Sequence, residues 1–128
     1  MENLKVNIKD IKWTFDILLD QEYEQKHGTS SHGITDKDAL EVDFKLTSFS
    51  IRLIRHELFH TYISSCCINS INELDENSIE ELGAEIVEFH LDDIQRISKK
   101  IYKELGKKEK LLKEISKDLE KYEQTTED

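Results

Sequence analysis

The stretch Ile54-Arg55-His56-Glu57-Leu58-Phe59-His60-Thr61-Tyr62 contains the most informative spacing in the chain. If it is helical, His56 and His60 lie one turn apart on the same face, because residues four apart are neighbours on a helix surface. Glu57 lies beside them, displaced around the helix axis. The spacing therefore predicts a helix that brings two imidazoles to one point, with a carboxylate nearby.

Two histidines and a glutamate at this spacing are typical of a catalytic zinc site. Zinc lowers the pKa of a bound water, and the glutamate accepts its proton as the water attacks a carbonyl. A third ligand must come from outside this helix. The predicted helix from Ile79 to His90 offers several candidates, of which Glu81 and Glu85 lie one turn apart on one face; the others are Glu80, Glu88 and His90. We expect Glu81 to be the ligand and Glu85 to orient a zinc-bound histidine, with the reversed assignment as the main alternative.

Helical patterns extend on both sides of this motif. A helix is predicted from about Thr47 to about Cys67, with Thr47 or Ser48 as its N-cap. It is apolar on more than one face, so we expect a central helix with partly buried histidines. A polar linker over residues 69–77 is followed by a second helix, for which Ser78 is the predicted N-cap.

From Lys99 onward the chain is rich in lysine and glutamate and has a thin apolar seam at heptad spacing: Ile101, Leu105, Leu112, Ile115, Leu119 and Tyr122. Such a seam packs back on the domain or pairs with a second copy, so a homodimer through this helix is one expectation. Gly106 is an alternative end of one helix and start of another. We assign residues 1–98 to the metal-binding domain and 99–128 to a charged helical extension of it.

The first third of the chain has the two-residue period of β-strands. Trp13, Phe15 and Ile17 share one face of a predicted strand, and a second strand points Leu40, Val42, Phe44 and Leu46 inward. The polar residues 20–29 extend a strand or begin a loop, and residues 34–36 form a short strand. The expected fold is α+β: a small N-terminal antiparallel sheet packs on the central helix and the second, ligand-bearing helix, and a long charged C-terminal helix follows.

Composition limits the classes of binding partner and the cellular compartment that we expect for this protein. The chain has 128 residues and a formal net charge of −10, which argues against a nucleic-acid backbone or an anionic membrane as the main partner. No apolar run approaches the length of a membrane span, and the first residues do not resemble a signal peptide. The only two cysteines, Cys66 and Cys67, are adjacent, which suits a reducing compartment. We therefore expect a cytoplasmic protein.

Three segments together resemble a known family: residues 33–36 with 40–44, residues 53–60, and residues 80–87. They are similar to the small zincin-type proteins of phages and prophages and, more distantly, to the ImmA/IrrE metallopeptidases. The resemblance implies a minimal gluzincin fold in which a strand precedes the His-Glu-x-x-His helix. It also implies that His56, His60 and Glu81 bind zinc and that Glu57 is the general base.

These patterns favour a zinc-dependent metallopeptidase that acts on a narrow set of protein or peptide substrates. We expect the strand from Leu40 to Leu46 to be an edge of the sheet and the peptide to lie along it by strand addition. The donors considered for the developing oxyanion are Tyr62, Tyr23, His27 and His32, of which His32 is preferred. The alternative is a catalytically silent module that zinc stabilises and that binds a partner protein.

Overall fold

The computed structural model describes residues 3–67 and 76–126, and within these ranges all side chains except those of residues 66–67, 76–85, 89 and 119–126. The fold is mixed α+β, with a small sheet and a long C-terminal helix, as predicted. Its elements are β1 (Leu4–Ile8), β2 (Ile11–Leu18), α1 (Asp20–His27), β3 (Gly33–Asp36), β4 (Glu41–Lys45), a 3-10 turn (Leu46–Ser48), α2 (Ile51–Cys67) and α3 (Glu76–Thr126).

The four strands form one sheet in the order β1-β2-β4-β3. The outer pairs β1–β2 and β3–β4 are antiparallel, but the central pair β2–β4 is parallel. The prediction of an antiparallel sheet is therefore wrong at its centre. Parallel strands need a long crossover connection, which α1 and β3 supply here. Strand β4 is paired on both sides, so the expected edge over residues 40–46 is also wrong, and β3 forms that edge.

Helix α1 occupies the segment expected to be a strand or loop. It shows little apolar periodicity and is held mainly by polar contacts. Tyr23 is buried, and its hydroxyl lies 2.7 Å from Ser31 Oγ. Burial raises the pKa of Tyr23. Lys45 of β4 donates to Glu24 Oε1 at 2.8 Å, so this hydrogen bond connects β4 to α1.

The apolar face of the sheet joins α2 and α3 in one hydrophobic cluster. The inward positions predicted for β2 and β4 are confirmed, since their side chains are almost completely buried: Trp13, Phe15, Ile17, Val42 and Phe44. Helix α2 adds Ile54 and Leu58 to this cluster. The indole nitrogen of Trp13 donates to Ser65 Oγ at 3.0 Å, which satisfies a polar group that would otherwise be buried without a partner.

Helix α2 begins later than predicted, at Ile51. Neither Thr47 nor Ser48 caps it, because Thr47 donates to Asp20 and Ser48 Oγ lies 2.8 Å from His32 Nδ1. The cap is Ser50, whose Oγ accepts a hydrogen bond from the Leu53 N–H at 3.1 Å. This bond satisfies one of the free N–H groups at the start of the helix.

Helix α3 is continuous from Glu76 to Thr126 and passes through Gly106 without a break. It already contains Ser78, so that residue is not the N-cap, and the predicted linker falls mainly on residues 68–75, outside the described residues. No helix in the described ranges is long and apolar enough to cross a membrane.

The heptad seam of α3 packs back on the domain as far as Leu112. Ile101, Leu105 and Leu112 are buried in the common cluster, and Lys108 pairs with Asp16 of β2. Ile115, one turn further on, is 41% exposed. A homodimer through α3 stays a prediction.

Leu112 and its neighbour Leu111 allow a matched test of this packing. Leu112 is 6% exposed and Leu111 is 47% exposed. Leu112→Ala should lower the free energy of unfolding by about 2–3 kcal/mol because it leaves a cavity in the cluster, whereas Leu111→Ala should change it by less than about 0.5 kcal/mol. Urea denaturation monitored by circular dichroism measures both. Equal effects would mean that this end of α3 does not pack on the sheet.

Candidate metal centre

Helix α2 places His56 and His60 on one face, as their spacing predicted. Both side chains are exposed rather than partly buried, because they face an open cleft and not the core. Their Nε2 atoms lie 3.2 Å apart. Two imidazole nitrogens bound to one tetrahedral zinc are roughly 3.3 Å apart, given Zn–N bonds of about 2.0–2.1 Å. The two nitrogens are within hydrogen-bonding distance of each other, and their separation also matches that of two nitrogen ligands on one zinc ion.

Glu57 differs from the two histidines in its surroundings. It is only 4% exposed, although it is next to exposed His56 in sequence. One ligand atom from each of these three side chains can be chosen so that all lie within 4.8 Å of one another. At this range, the carboxylate is close enough to reach a water molecule held by the histidines.

Strand β3 lies directly against this carboxylate. A Cβ atom on Gly33 would come within 3.1 Å of Leu53 Cδ1 and 3.3 Å of Glu57 Cγ, so the absence of a side chain permits the close approach. The Thr35 hydroxyl is 3.3 Å from Glu57 Oε1 and 3.4 Å from the Glu57 carbonyl oxygen. Since a hydroxyl has one proton, it donates to either oxygen or is shared between them. Thr35 thus holds the buried carboxylate from the strand side.

A cleft of about 580 Å³ lies between β3 and α2 and contains the whole cluster. We call it the main cleft. Sequence reasoning identified its histidines and Glu57 but assigned no role to most of the strand residues that form its other wall. The lining residues are His27, Gly33, Ile34, Thr35, Asp36, Lys37, His56, Glu57, His60 and Ser64.

One wall of the main cleft carries a histidine bound to a buried aspartate. His27 Nε2 lies 2.7 Å from Asp43 Oδ2, and Lys26 Nζ lies 2.8 Å from the same oxygen. The hydrogen bond to Asp43 raises the pKa of Lys26. An ionised carboxylate only accepts hydrogen bonds, so Nε2 of His27 is the protonated nitrogen of this contact. Nδ1 of His27 makes no hydrogen bond to another described residue.

The other candidate oxyanion donors lie elsewhere. Tyr23 is buried against Ser31, and Tyr62 is buried with its ring 5.2 Å from that of His90. His32 lies in a neighbouring pocket, where it contacts Ser48. Of the four residues considered, His27 alone lines the main cleft.

The predicted third ligand, Glu81, and the second carboxylate, Glu85, belong to the first turns of α3, which packs against α2. Their side chains lie outside the described ones. Among the described residues, the carboxylates that line the main cleft belong to Asp36 and Glu57. Asp36 Oδ1 accepts from the N–H groups of Asp38 and Ala39 at 3.0 and 3.1 Å, so this oxygen serves the turn after β3.

Comparison of the chain with family models, with curated proteins and with solved structures gave no match. The chemistry of the site is therefore argued from its own geometry. That geometry consists of two convergent imidazoles, a buried glutamate held by Thr35, and a cleft that gives solvent access to them.

The contact between Thr35 and Glu57 can be tested by stability measurements. Thr35→Val keeps the side-chain shape and removes the donor, so it should lower the free energy of unfolding by about 1 kcal/mol, because the buried carboxylate loses a hydrogen bond. The same substitution in a Glu57→Leu background should have a smaller effect, since no carboxylate remains there. Urea denaturation of the unsubstituted protein, the two single variants and the double variant gives the interaction energy between Thr35 and Glu57. Equal losses in both backgrounds would contradict the contact.

Proposed function

We propose that this protein is a zinc-dependent metallopeptidase whose metal is bound by His56, His60 and a glutamate of α3. The observation that carries the proposal is the 3.2 Å separation of the two Nε2 atoms beside the buried Glu57 carboxylate. Of the glutamates on α3, Glu81 is the proposed ligand and Glu85 the main alternative. Zinc with imidazole and carboxylate ligands is a common catalytic set.

The zinc ion, Glu57 and Thr35 would each have a separate role in peptide hydrolysis. Bound zinc would lower the pKa of a water molecule and polarise the substrate carbonyl. Glu57 takes the proton of the attacking water and transfers it to the leaving amine. Thr35 is a positioning residue, because it touches Glu57 and holds its carboxylate between β3 and α2.

The substrate would bind as an extended strand along β3. This strand pairs with β4 on one side only, and its residues line the main cleft. Strand addition to such an edge provides main-chain hydrogen bonds and would place the carbonyl of the scissile bond beside His56 and His60. His27 is the proposed donor to the developing oxyanion, in place of His32, since it lines the same cleft.

The exposure of the histidines favours an enzyme over a binding module stabilised by zinc. Structural zinc sites have four protein ligands and are closed, whereas catalytic sites keep one position open. His56 and His60 are exposed at the main cleft, which leaves room for water and substrate. A buried glutamate beside the ligands has no role in a purely structural site.

Metal content of the purified protein is the first test. We expect about one zinc per chain by mass spectrometry of metals, and a loss of at least tenfold in zinc affinity for His56→Ala and for His60→Ala. His90→Ala is the matched control. The His90 ring contacts the ring of Tyr62, and His90 is not among the residues that line the main cleft. Glu81→Ala should weaken zinc binding more than Glu85→Ala. Equal zinc binding by all of these variants would overturn the site.

Glu57→Gln separates catalysis from metal binding. The amide keeps the side-chain size but cannot accept the proton, so hydrolysis of a fluorogenic peptide library should fall by about 10²–10⁴-fold. Zinc content should stay near that of the unsubstituted protein, because Glu57 is not a proposed ligand. Cleavage at the original rate would rule out Glu57 as the base, and loss of zinc would make it a ligand.

A further inference from the structure

A second, smaller pocket opens beside His56, on the side away from His60. It has a volume of about 360 Å³, and we call it the side pocket. Its lining residues are His32, Ser48, Ser50, Arg52, Leu53 and His56. His56 also lines the main cleft. The two cavities therefore adjoin at the proposed metal ligand His56.

The two cavities differ in charge. The main cleft contains the carboxylates of Asp36 and Glu57 together with the cation of Lys37. No carboxylate is among the residues that line the side pocket, and Arg52 provides a permanent positive charge there. Within the described part of the chain, no acidic side chain lies within ion-pair distance of Arg52. An unpaired guanidinium in a chain with a net charge of −10 is a ready partner for an incoming anion.

Ser50 and, in one of its two neutral tautomers, His32 are further donors in the side pocket. Ser50 Oγ accepts from the Leu53 N–H, so its own proton can be donated to a ligand. In the tautomer in which Ser48 donates to His32 Nδ1, the Nε2 atom of His32 carries a proton. The half-buried side chain of Leu53 provides an apolar surface for the stem of a ligand side chain.

The position of the side pocket fixes which part of a substrate would reach it. Gly33 at the start of β3 faces Leu53 and Glu57, and Thr35 faces Glu57. A peptide paired with β3 therefore meets the side pocket near the Gly33 end of the strand. We propose that the side pocket binds the carboxylate of an aspartate or glutamate side chain close to the scissile bond, with Arg52 as the residue that determines this specificity. The inference rests on the proposed function, because it takes the main cleft as the substrate site.

The test uses the zinc-loaded Glu57→Gln protein, which should bind peptides without cleaving them. The probe is a positional library of peptides with acetylated and amidated ends, in which each position in turn is fixed as Glu or as Gln. Affinity selection with mass spectrometry should enrich Glu over Gln about tenfold at one position, as expected for a charge-assisted hydrogen bond. Blocked ends ensure that only side-chain carboxylates are tested.

Arg52→Gln should abolish this enrichment while peptides still bind. Arg55→Gln is the matched control, because Arg55 is exposed on the same helix and lines neither cavity; its enrichment should be unchanged. Peptide binding without a preference for Glu, or a preference that persists in Arg52→Gln, would overturn this inference and leave the proposed function standing. Failure of every peptide to bind would overturn both.

Discussion

The close approach of β3 to α2 is the constraint on which the site depends. Gly33 permits it because any side chain there would meet Leu53 and Glu57, and Thr35 uses it to hold the Glu57 carboxylate. The strand covers Glu57 on one side while His56 and His60 remain exposed at the main cleft. Neighbouring residues of one helix thereby acquire different environments: two imidazoles are exposed and the carboxylate between them in sequence is buried, as the proposed roles of metal ligand and general base require.

The fold supports this contact from a distance. Strand β4 lies between β2 and β3. The edge strand β3 therefore pairs with a strand whose central side chains are almost completely buried. Asp43 of β4 is 5% exposed and connects α1 to the sheet through His27 and Lys26. A buried carboxylate needs such partners, because desolvation without them is unfavourable. The same contacts position His27 in the wall of the main cleft.

Local periodicity in the sequence was sufficient for the parts of the structure that depend on it. The spacing of His56 and His60 and the alternation of Trp13, Phe15 and Ile17 predicted which side chains would meet or be buried. Non-local pairing left no such signal: the residues of β4 alternate in the same way whether their neighbour is parallel or antiparallel. Helix α1 was missed because its stabilising partners are polar and most lie far along the chain, on β4 and just after it. The Glu81 and Glu85 assignment was undecided because one helical turn places both carboxylates on the same face.

The order of the strands has a consequence for how the chain folds. The β1–β2 hairpin closes through Lys9 and Asp10, both with positive φ, and such two-residue turns bring adjacent strands together quickly. The β2–β4 pairing requires closure of a much longer loop, and the contact of Lys108 with Asp16 spans most of the chain. Loop closure of this kind slows folding. We therefore expect the β1–β2 hairpin to form before β4 pairs with β2, and the contact of α3 with β2 to form after both.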